Sequence, residues 1–257
     1  TFIQALSNII LVAIENKRLA RKQLDQQALQ RDIEIASDVQ NFLFPKDLPR
    51  TEKIEIKAFY QPCQTVGGDY YDYIELQNQN GFVVCIADVS GKGVPAAILM
   101  SNFQAVLRTI IRTAQNPKDV VTELNYQLGR NGNRENFITF FLGIYDYHTR
   151  ELRYINAGHN PPVLMNGKAE VQLLTVGTTV LGAFDPLPFL EMGTVKNLDE
   201  FSLFLYTDGL TETFDNLDAE YGTDRLEAFL QKNYGRPLDD IHQELLQELD
   251  DYRKSHP

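Results

Sequence analysis

Residues 82–93 of this chain read FVVCIADVSGKG, an apolar run that stops at Asp88 and continues into a glycine-rich loop. A β-branched and apolar run that ends at an aspartate followed by small residues is typical of a strand that delivers a carboxylate to a sheet edge. The segment therefore predicts a strand with Asp88 at its end. Gly91 and Gly93 next to it allow the backbone to approach a ligand closely.

Two other segments repeat this arrangement. GGDYYDY (residues 67–73) places Asp69 after two glycines, and FSLFLYTDG (residues 201–209) ends an apolar run at Asp208. Carboxylates gathered where strands end suit hard divalent cations such as Mg²⁺ or Mn²⁺. We interpret Asp69, Asp88 and Asp208 as candidate catalytic residues and metal ligands of a hydrolase, although any one of them alone is more often a turn residue.

Three alternative interpretations of these motifs fail on detail. The glycine loop is not a phosphate-binding P-loop, because Lys92 is followed by Gly93 and not by Ser or Thr. The Gly-Gly-Asp motif of diguanylate cyclases requires Glu-Phe where this chain has Tyr70-Tyr71. Ser90 lacks the Gly-x-Ser-x-Gly context of a nucleophilic serine.

AGHNPP (residues 157–162) is the other unusual segment. His159 would serve either as a general acid or base, or as a residue that ties down the backbone of a proline-bounded loop. We favour the second interpretation.

Composition limits the class of protein. The chain has 257 residues, of which 43% are hydrophobic, enough for one sizeable core with an appendage. Its formal charge is −11, with 24 Lys and Arg against 35 Asp and Glu, and residues 1–44 are neutral. An acidic body without a basic stripe argues against a nucleic-acid partner. Cys63 and Cys85 form neither a disulfide framework nor a zinc motif, which predicts a reducing compartment.

The apolar start of the chain, residues 2–14, contains Gln4, Ser7 and Asn8 and is shorter than the ~20 residues that a membrane span needs. It also lacks the basic front and the cleavage site of a signal peptide. The chain does not begin with Met, which indicates a piece of a longer protein. Because it has neither a predicted membrane span nor a signal peptide, we expect it to be cytoplasmic, without membrane insertion.

Residues 1–44 contain neither Pro nor Gly and predict one long helix. Its apolar stripe first follows Ile3, Leu6, Ile10, Ala13, Ala20 and Leu24, and then shifts to Ala28, Ile35, Val39 and Phe42. A long helix cannot bury a narrow stripe by itself, so the pattern predicts a parallel coiled-coil homodimer. The alternative is that the stripe packs back onto the body of the protein.

Pro45 and Pro49 end this helix, which divides the chain into a linker at 1–44 and a body at 45–257. The predicted strands of the body are 54–60, 70–76, 82–87, 138–147, 151–156, 162–165, 170–174 and 201–207. The predicted helices are 95–113, 117–130, 224–232 and 238–254, and the predicted hairpin turns are 148–150 and 166–168. Hairpins with helices in separate blocks indicate an α+β domain.

The motifs at residues 67–72, 88–93, 156–162 and 206–209 occur in an order that resembles the SpoIIE/RsbU-type bacterial phosphatases. These form a branch of the protein phosphatase 2C-like, metal-dependent serine/threonine phosphatases of the PPM family. The resemblance implies two antiparallel β-sheets packed face to face and flanked by helices, an αββα sandwich. It also implies that the long N-terminal helix links the phosphatase to an upstream sensor domain.

The resemblance further implies a site with two Mn²⁺ or Mg²⁺ ions. Asp88 would bridge both ions, the Val89 carbonyl would bind one, Asp69 would act near the first and Asp208 would ligate the second. Two such ions orient water for in-line attack on phosphorus, so that no phosphoenzyme is needed.

The implied reaction is the dephosphorylation of phosphoserine or phosphothreonine on a partner protein. By resemblance the partner is a STAS-domain anti-anti-sigma factor of bacterial stress or developmental signalling. The alternatives are a pseudophosphatase that acts as a binding module, or a metal phosphohydrolase for small molecules.

The resemblance weakens near the C-terminal end. The family supplies a further ligating Asp from an acidic pair before a last apolar strand. Here the late pair Asp250-Asp251 lies within a helical pattern that includes Leu245 and Leu249. We therefore expect a missing final strand, an unpaired sheet edge in its place, and at most one firmly bound ion.

Overall fold

A computed structural model describes residues 2–76, 80–112, 116–131, 136–167 and 169–254. The helices are α1 (Phe2–Asn41), α2 (Val94–Ile110), α3 (Pro117–Asn131), α4 (Asp208–Thr211), α5 (Gly222–Lys232) and α6 (Leu238–Lys254). The strands are β1 (Tyr70–Leu76), β2 (Gly81–Val89), β3 (Ile138–Asp146), β4 (Glu151–Ala157), β5 (Val163–Asn166), β6 (Val171–Leu173), β7 (Gly177–Thr178), β8 (Gly193–Val195) and β9 (Phe201–Phe204). Within these ranges, none of the helices combines the length and the hydropathy that crossing a membrane requires.

The strands form two sheets. The first has the order β1-β2-β3-β4-β7, with β8 also pairing with β4, and the second has the order β6-β5-β9. All pairs are antiparallel except β4 with β7, which is parallel. In β2 and β3 nearly every side chain is buried on both faces, because helices cover one face and the second sheet covers the other.

Three apolar clusters fill the spaces between four layers. The outer two lie between α2, α3 and the first sheet, and between the second sheet and α5, α6. The middle cluster lies between the sheets and includes Phe82, Phe141, Tyr145, Leu164 and Leu203. Fully burying one such apolar side chain stabilises the fold by about 1.5–3 kcal/mol. The predicted α+β fold, an αββα sandwich, is therefore confirmed.

The long N-terminal helix is also confirmed, as α1. Its exposed apolar side chains include Leu11, Val12, Ile14, Leu24, Leu29, Ile35 and Val39, and Phe42 just after the helix is exposed as well. The side chains that turn toward the body are Ile33, Ser37 and Gln40, on a different face. For the described side chains, the alternative in which the apolar stripe packs onto the body is therefore wrong.

The predicted strand at residues 54–60 is wrong. Its side chains alternate between half-buried and exposed, as in a strand. The segment nevertheless forms only the isolated bridge between Arg50 and Glu55, and no ladder with any described strand. A cleft of about 2890 Å³ is lined by this segment, β9 and α6, and the segment forms no ladder with β9. On its other side β9 also lacks a partner among the described strands, so the expected unpaired edge is present.

The remaining predicted elements are present with small shifts at their ends. The largest shifts are of three residues: α2 ends at Ile110 and not at Thr113, and β9 ends at Phe204 and not at Thr207. The predicted turn at 148–150 joins β3 to β4, whereas Thr113 and Lys168, at predicted boundaries, lie outside the described residues. The two short strands β7 and β8 and the single turn α4 were not predicted, because two to four residues show no periodicity.

Candidate active site

Asp69 and Asp88 are brought together by the first sheet. Asp69 immediately precedes β1, and Asp88 is the penultimate residue of β2. The β1–β2 register pairs Tyr70 with Ala87, which places the two aspartates side by side at the same end of the strands. Their carboxyl groups are close enough that each shifts the pKa of the other.

Asp208 approaches from the second sheet. It begins α4 just after β9, and its side chain is exposed. Its charge acts on both Asp69 and Asp88, so the three predicted residues lie in one region of the molecule. No three acidic, histidine or cysteine side chains within the described ranges are close enough to form a ready-made cation site. Asp208 therefore stands apart from the pair.

The pair carries a proton near neutral pH. Burial raises the pKa of Asp88 to about 7, with further contributions from the charge and hydrogen bond of Asp69 and from the charges of Asp208 and Glu212. Burial also raises the pKa of Asp69, but hydrogen bonds from Asp88 and Thr207 act in the opposite direction. The two carboxyl groups therefore titrate as a pair, and the proton belongs to the pair and not to one residue.

The loops around the pair bring backbone close to it. A Cβ atom on Gly68 would lie 2.9 Å from the Val89 carbonyl oxygen, so only glycine permits this approach. Gly93 has a φ of 70° at the start of α2, a conformation that favours glycine. The Val89 carbonyl, predicted as a ligand, thus lies against the Gly68 backbone beside Asp69.

Several residues that hold the site carry no clear sequence signal. The Thr207 hydroxyl donates to Asp69 Oδ2 over 3.2 Å, and Thr207 directly precedes Asp208 in the motif. Gln40, in the last turn of α1, is buried. Its Nε2 donates to the Gly67 carbonyl over 2.7 Å, and its Oε1 accepts the Gly67 N–H over 3.2 Å. A single glutamine in a polar helix gives no hint of such a contact.

Other residues of the motifs have structural roles. Ser90 accepts a hydrogen bond from the Phe137 N–H over 2.9 Å, so its hydroxyl fixes the start of β3. Asp72 is buried and paired with Arg108 through two hydrogen bonds of 2.7 and 2.9 Å. His159 is buried with both ring nitrogens engaged, which agrees with a role in tying down backbone.

The acidic pair Asp250-Asp251 stays away from the site. Both residues lie in α6 as predicted, where Asp250 faces Arg253 at 3.8 Å and Asp251 accepts from Gln247 over 2.9 Å. Their carboxylates are exposed and bonded within their own helix.

The donor set fits one hard divalent cation. Two adjacent carboxyl groups that share a proton exchange it readily for a metal ion, and oxygen ligands are the ones that Mg²⁺ and Mn²⁺ prefer. The Val89 carbonyl supplies a third oxygen next to them. The Tyr60 hydroxyl, whose pKa burial and the charge of Asp69 raise to about 12, is buried without a partner among the described residues. This hydroxyl is a further polar group near Asp69.

Comparison with known proteins identifies relatives of this chain. Phosphoserine phosphatase RsbU of Bacillus subtilis (strain 168) is 30% identical over 189 residues, which cover 73% of this chain and 55% of RsbU. Protein IcfG of Synechocystis sp. is 25% identical over 274 residues, covering 95% of this chain and 43% of IcfG. The chain thus spans about half the length of the curated relatives it matches.

Solved structures share the fold. The SiaA-PP2C domain of Pseudomonas aeruginosa superposes with a TM-score of 0.77 at 19% identity, covering 90% of this chain and 93% of that domain. RsbX, crystallised in complex with magnesium, has a TM-score of 0.55 at 13% identity over 74% of this chain and 83% of RsbX. At such identities the likeness concerns the fold alone.

The match to a sequence family shows which family the chain belongs to. The family described as Stage II sporulation protein E (SpoIIE) matches residues 78–257, more than two thirds of the chain. That range contains Asp88, Val89, His159 and Asp208, and the fold is the one the family resemblance implied. The chain belongs to the SpoIIE family of PP2C-type serine phosphatases.

Proposed function

We propose that this chain is the catalytic part of a metal-dependent phosphatase that removes phosphate from phosphoserine or phosphothreonine of a partner protein. The observation that carries the proposal is that the β1–β2 register sets Asp69 beside Asp88 in the lining of the cleft, which also includes Asp208. The family membership and the likeness to a phosphoserine phosphatase support it.

The proposed roles follow from the positions of the residues. Asp88, Asp69 and the Val89 carbonyl would hold a Mn²⁺ or Mg²⁺ ion, and Asp208 would contribute to a second, weaker position. Such ions, when bound, activate water and offset charge on phosphoryl oxygens. Thr207 fixes the orientation of Asp69 by its hydrogen bond, and Gly68 keeps the Val89 carbonyl close. Ser90 is engaged with the β3 backbone and would take no part.

The experiment is phosphate release with Mn²⁺ from a phosphoserine protein, compared with release from a chromogenic small phosphate ester. A protein phosphatase prefers the phosphoprotein, whereas a small-molecule phosphohydrolase prefers the ester. A pseudophosphatase binds the phosphoprotein without releasing phosphate. The control is Asp119→Asn, which removes an exposed carboxylate on α3 and should leave the activity unchanged.

The proposed partner is a phosphorylated STAS-domain protein, and the proposed compartment is the cytoplasm. The family resemblance supports the partner, and the free thiols of Cys63 and Cys85 suit a reducing compartment. Dephosphorylation of a phosphorylated STAS domain should be faster than that of an unrelated phosphoserine protein. Equal rates for the two would contradict this choice of substrate.

We also propose that residues 1–44 form a linker through which the protein dimerises and is regulated, with residues 45–257 as the phosphatase domain. A second copy would cover the exposed stripe of α1, which contains Leu24, Val39 and Phe42. Regulation is supported by Gln40, whose side chain joins the last turn of α1 to Gly67, two residues before Asp69. Leu43 adds a second link, because its carbonyl accepts from Gln104 of α2 over 3.4 Å.

Light scattering and activity measurements test this linker role. The full chain should be a dimer, and deletion of residues 1–40 should make it a monomer with altered activity. Gln40→Ala should change the activity, whereas Asn41→Ala, on the exposed side of the same turn, should not. A monomer at high concentration whose activity survives the deletion unaltered would exclude both roles.

A further inference from the structure

His159 lies between the two sheets at the end that carries the aspartates. It follows β4 in a turn where Asn156 Oδ1 accepts the His159 N–H over 2.8 Å, and only 5% of the residue is exposed. Its Nδ1 lies 2.8 Å from the Thr139 hydroxyl on β3, and its Nε2 lies 3.1 Å from the Tyr206 carbonyl oxygen after β9. The imidazole therefore joins a strand of the first sheet to the segment that follows β9 of the second.

Each of the two partners of its ring is near one aspartate of the site, Thr139 near Asp88 and Tyr206 near Asp208. In the β2–β3 register Thr139 is directly opposite Asp88, and its hydroxyl is 3.5 Å from the Asp88 carbonyl oxygen. Tyr206 precedes Asp208 by two residues. The path from Thr139 through His159 to Tyr206 is thus a short connection between the half of the site on β2 and the half after β9.

The hydrogen bonds define the state of the ring. A carbonyl oxygen can only accept, so Nε2 of His159 carries the proton that bonds the Tyr206 carbonyl. In a neutral ring Nδ1 then accepts, and the Thr139 hydroxyl donates to it. Burial lowers the pKa of His159 to about 4, which keeps the ring neutral at physiological pH. With both nitrogens engaged and the ring buried, His159 has no free atom to exchange a proton with a substrate.

We propose that His159 is a positioning residue, whose two ring nitrogens fasten Thr139 of the first sheet to the Tyr206 carbonyl in the segment that follows β9 of the second sheet, and so set the spacing of Asp88 and Asp208. The role in cation binding rests on the proposed function, whereas the fastening of the two sheets does not. β9 has a ladder partner on one side only within the described residues, so this side-chain bridge restrains a strand that its sheet holds weakly.

The test uses Thr139→Val, which keeps the shape of the side chain and removes its hydroxyl, in the full chain. Thr139→Ser restores the hydroxyl, and Ile144→Val is the matched control because it lies on β3 in the core away from the bridge. Amide hydrogen exchange of residues 207–211 is measured in the metal-free proteins. Exchange in this turn should be at least ~10-fold faster in Thr139→Val, and near the wild-type rate in the Ser variant and the control.

A second measurement is the Mn²⁺ dissociation constant by calorimetry. Thr139→Val should weaken Mn²⁺ binding by ~10-fold, the lower end of the effect of outer partners of metal ligands, and Thr139→Ser should recover it. Unchanged exchange at residues 207–211 would overturn the fastening, and unchanged Mn²⁺ affinity would overturn the role in spacing the carboxylates. Failure of the wild-type protein to bind Mn²⁺ would overturn the proposed function, while the exchange data would still decide the role of His159.

Discussion

The two sheets hold their aspartates in different ways. Asp88 is half-buried on a nine-residue strand that has a neighbour on each side, β1 and β3. Asp208 is exposed and follows a four-residue strand whose only ladder within the described ranges is with β5. One half of the site is therefore fixed by the core, whereas the other depends on a few side-chain hydrogen bonds, those of Thr207 and His159.

This difference has a physical basis. A carboxylate on a well-packed strand is placed by the sheet itself, but pays for burial with a raised pKa. A carboxylate at a sheet edge keeps its hydration, and its position is less defined. The first half thus suits tight binding of a cation, and the second half suits adjustment by a substrate or a regulator.

The largest expected effect comes from the fixed half. Asp88→Asn should reduce Mn²⁺-dependent phosphate release by more than ~100-fold, because losing a ligand should exceed the ~10–100-fold cost of losing an outer partner. Retention of more than a few per cent of the activity would remove Asp88 from its assigned role. The activity is measured at saturating phosphoprotein, with Asp119→Asn as the control.

The same variant should be more stable without metal. The folded-state pKa of Asp88, about 7, lies above the ordinary value of 3.8, so stability is lost as the pH rises from about 4 through 7. Asparagine removes this loss. We expect a gain of roughly 1 kcal/mol in unfolding free energy at neutral pH, a discounted figure because the residue is only half-buried and solvent screens its charge. Urea unfolding in the presence of a chelator measures it.

We expect the ion pair between Asp72 of β1 and Arg108 of α2 to stabilise the fold. The side chain of Asp72 is fully buried and that of Arg108 is 43% exposed, so Arg108→Ala leaves a buried carboxylate unpaired. We expect a loss of about 3 kcal/mol in unfolding free energy, the lower end for a broken buried pair. Arg112→Ala, an exposed arginine just beyond α2, is the control and should change stability by less than ~0.5 kcal/mol. Equal stability of the two variants would show that the sheet needs no support from α2.

The buried, neutral His159, which connects the two halves of the site, predicts that the stability of the fold depends on pH. The pKa of His159 is about 4 in the folded chain against 6.5 ordinarily, so the unfolded chain binds a proton first as the pH falls. Stability from the neutral imidazole is therefore lost below about pH 6.5, by roughly 2 kcal/mol at about pH 4.5. Because Asp69 and Asp88 act in the opposite direction, the measured quantity is the difference between wild type and His159→Gln. The two proteins should converge in stability as the pH falls, and parallel curves would contradict a buried neutral histidine.

The smallest effect is expected at the loose half. Asp208→Asn should change the unfolding free energy by less than ~0.5 kcal/mol, because the side chain is exposed. We expect the first Mn²⁺ ion to bind as in wild type, and turnover to fall. Calorimetry of the wild-type chain should show at most one tight site. Two tight sites would mean that Asp208, or a further carboxylate such as Asp250, is a ligand as strong as the buried pair.

The same contrast explains what sequence alone could predict. Long β-branched runs such as β2 and β3 were predicted because the residues that fill the core also set their periodicity. The segment at 54–60 shows the same alternation, yet a strand needs a partner edge, and pairing is decided by residues far away in sequence. The three aspartates were chosen as candidates because glycines or the ends of apolar runs flank them in the sequence. Gln40 and the Thr139–His159 contact were not, because they are tertiary contacts with no local pattern.

The length of α1 determines how strongly a movement of its far end displaces Gln40, whose side chain makes two hydrogen bonds with Gly67. The helix has 40 residues and is therefore roughly 60 Å long. If it pivots at Gln40, a displacement of ~5 Å at the far end corresponds to a rotation of roughly 5° at the pivot, well within the angular tolerance of a hydrogen bond. On the linker role proposed above, α1 would act as a lever with a long arm toward its N-terminal end and a short arm at Gln40. It would convert a large displacement of the far end into a small one at Gly67, two residues before Asp69.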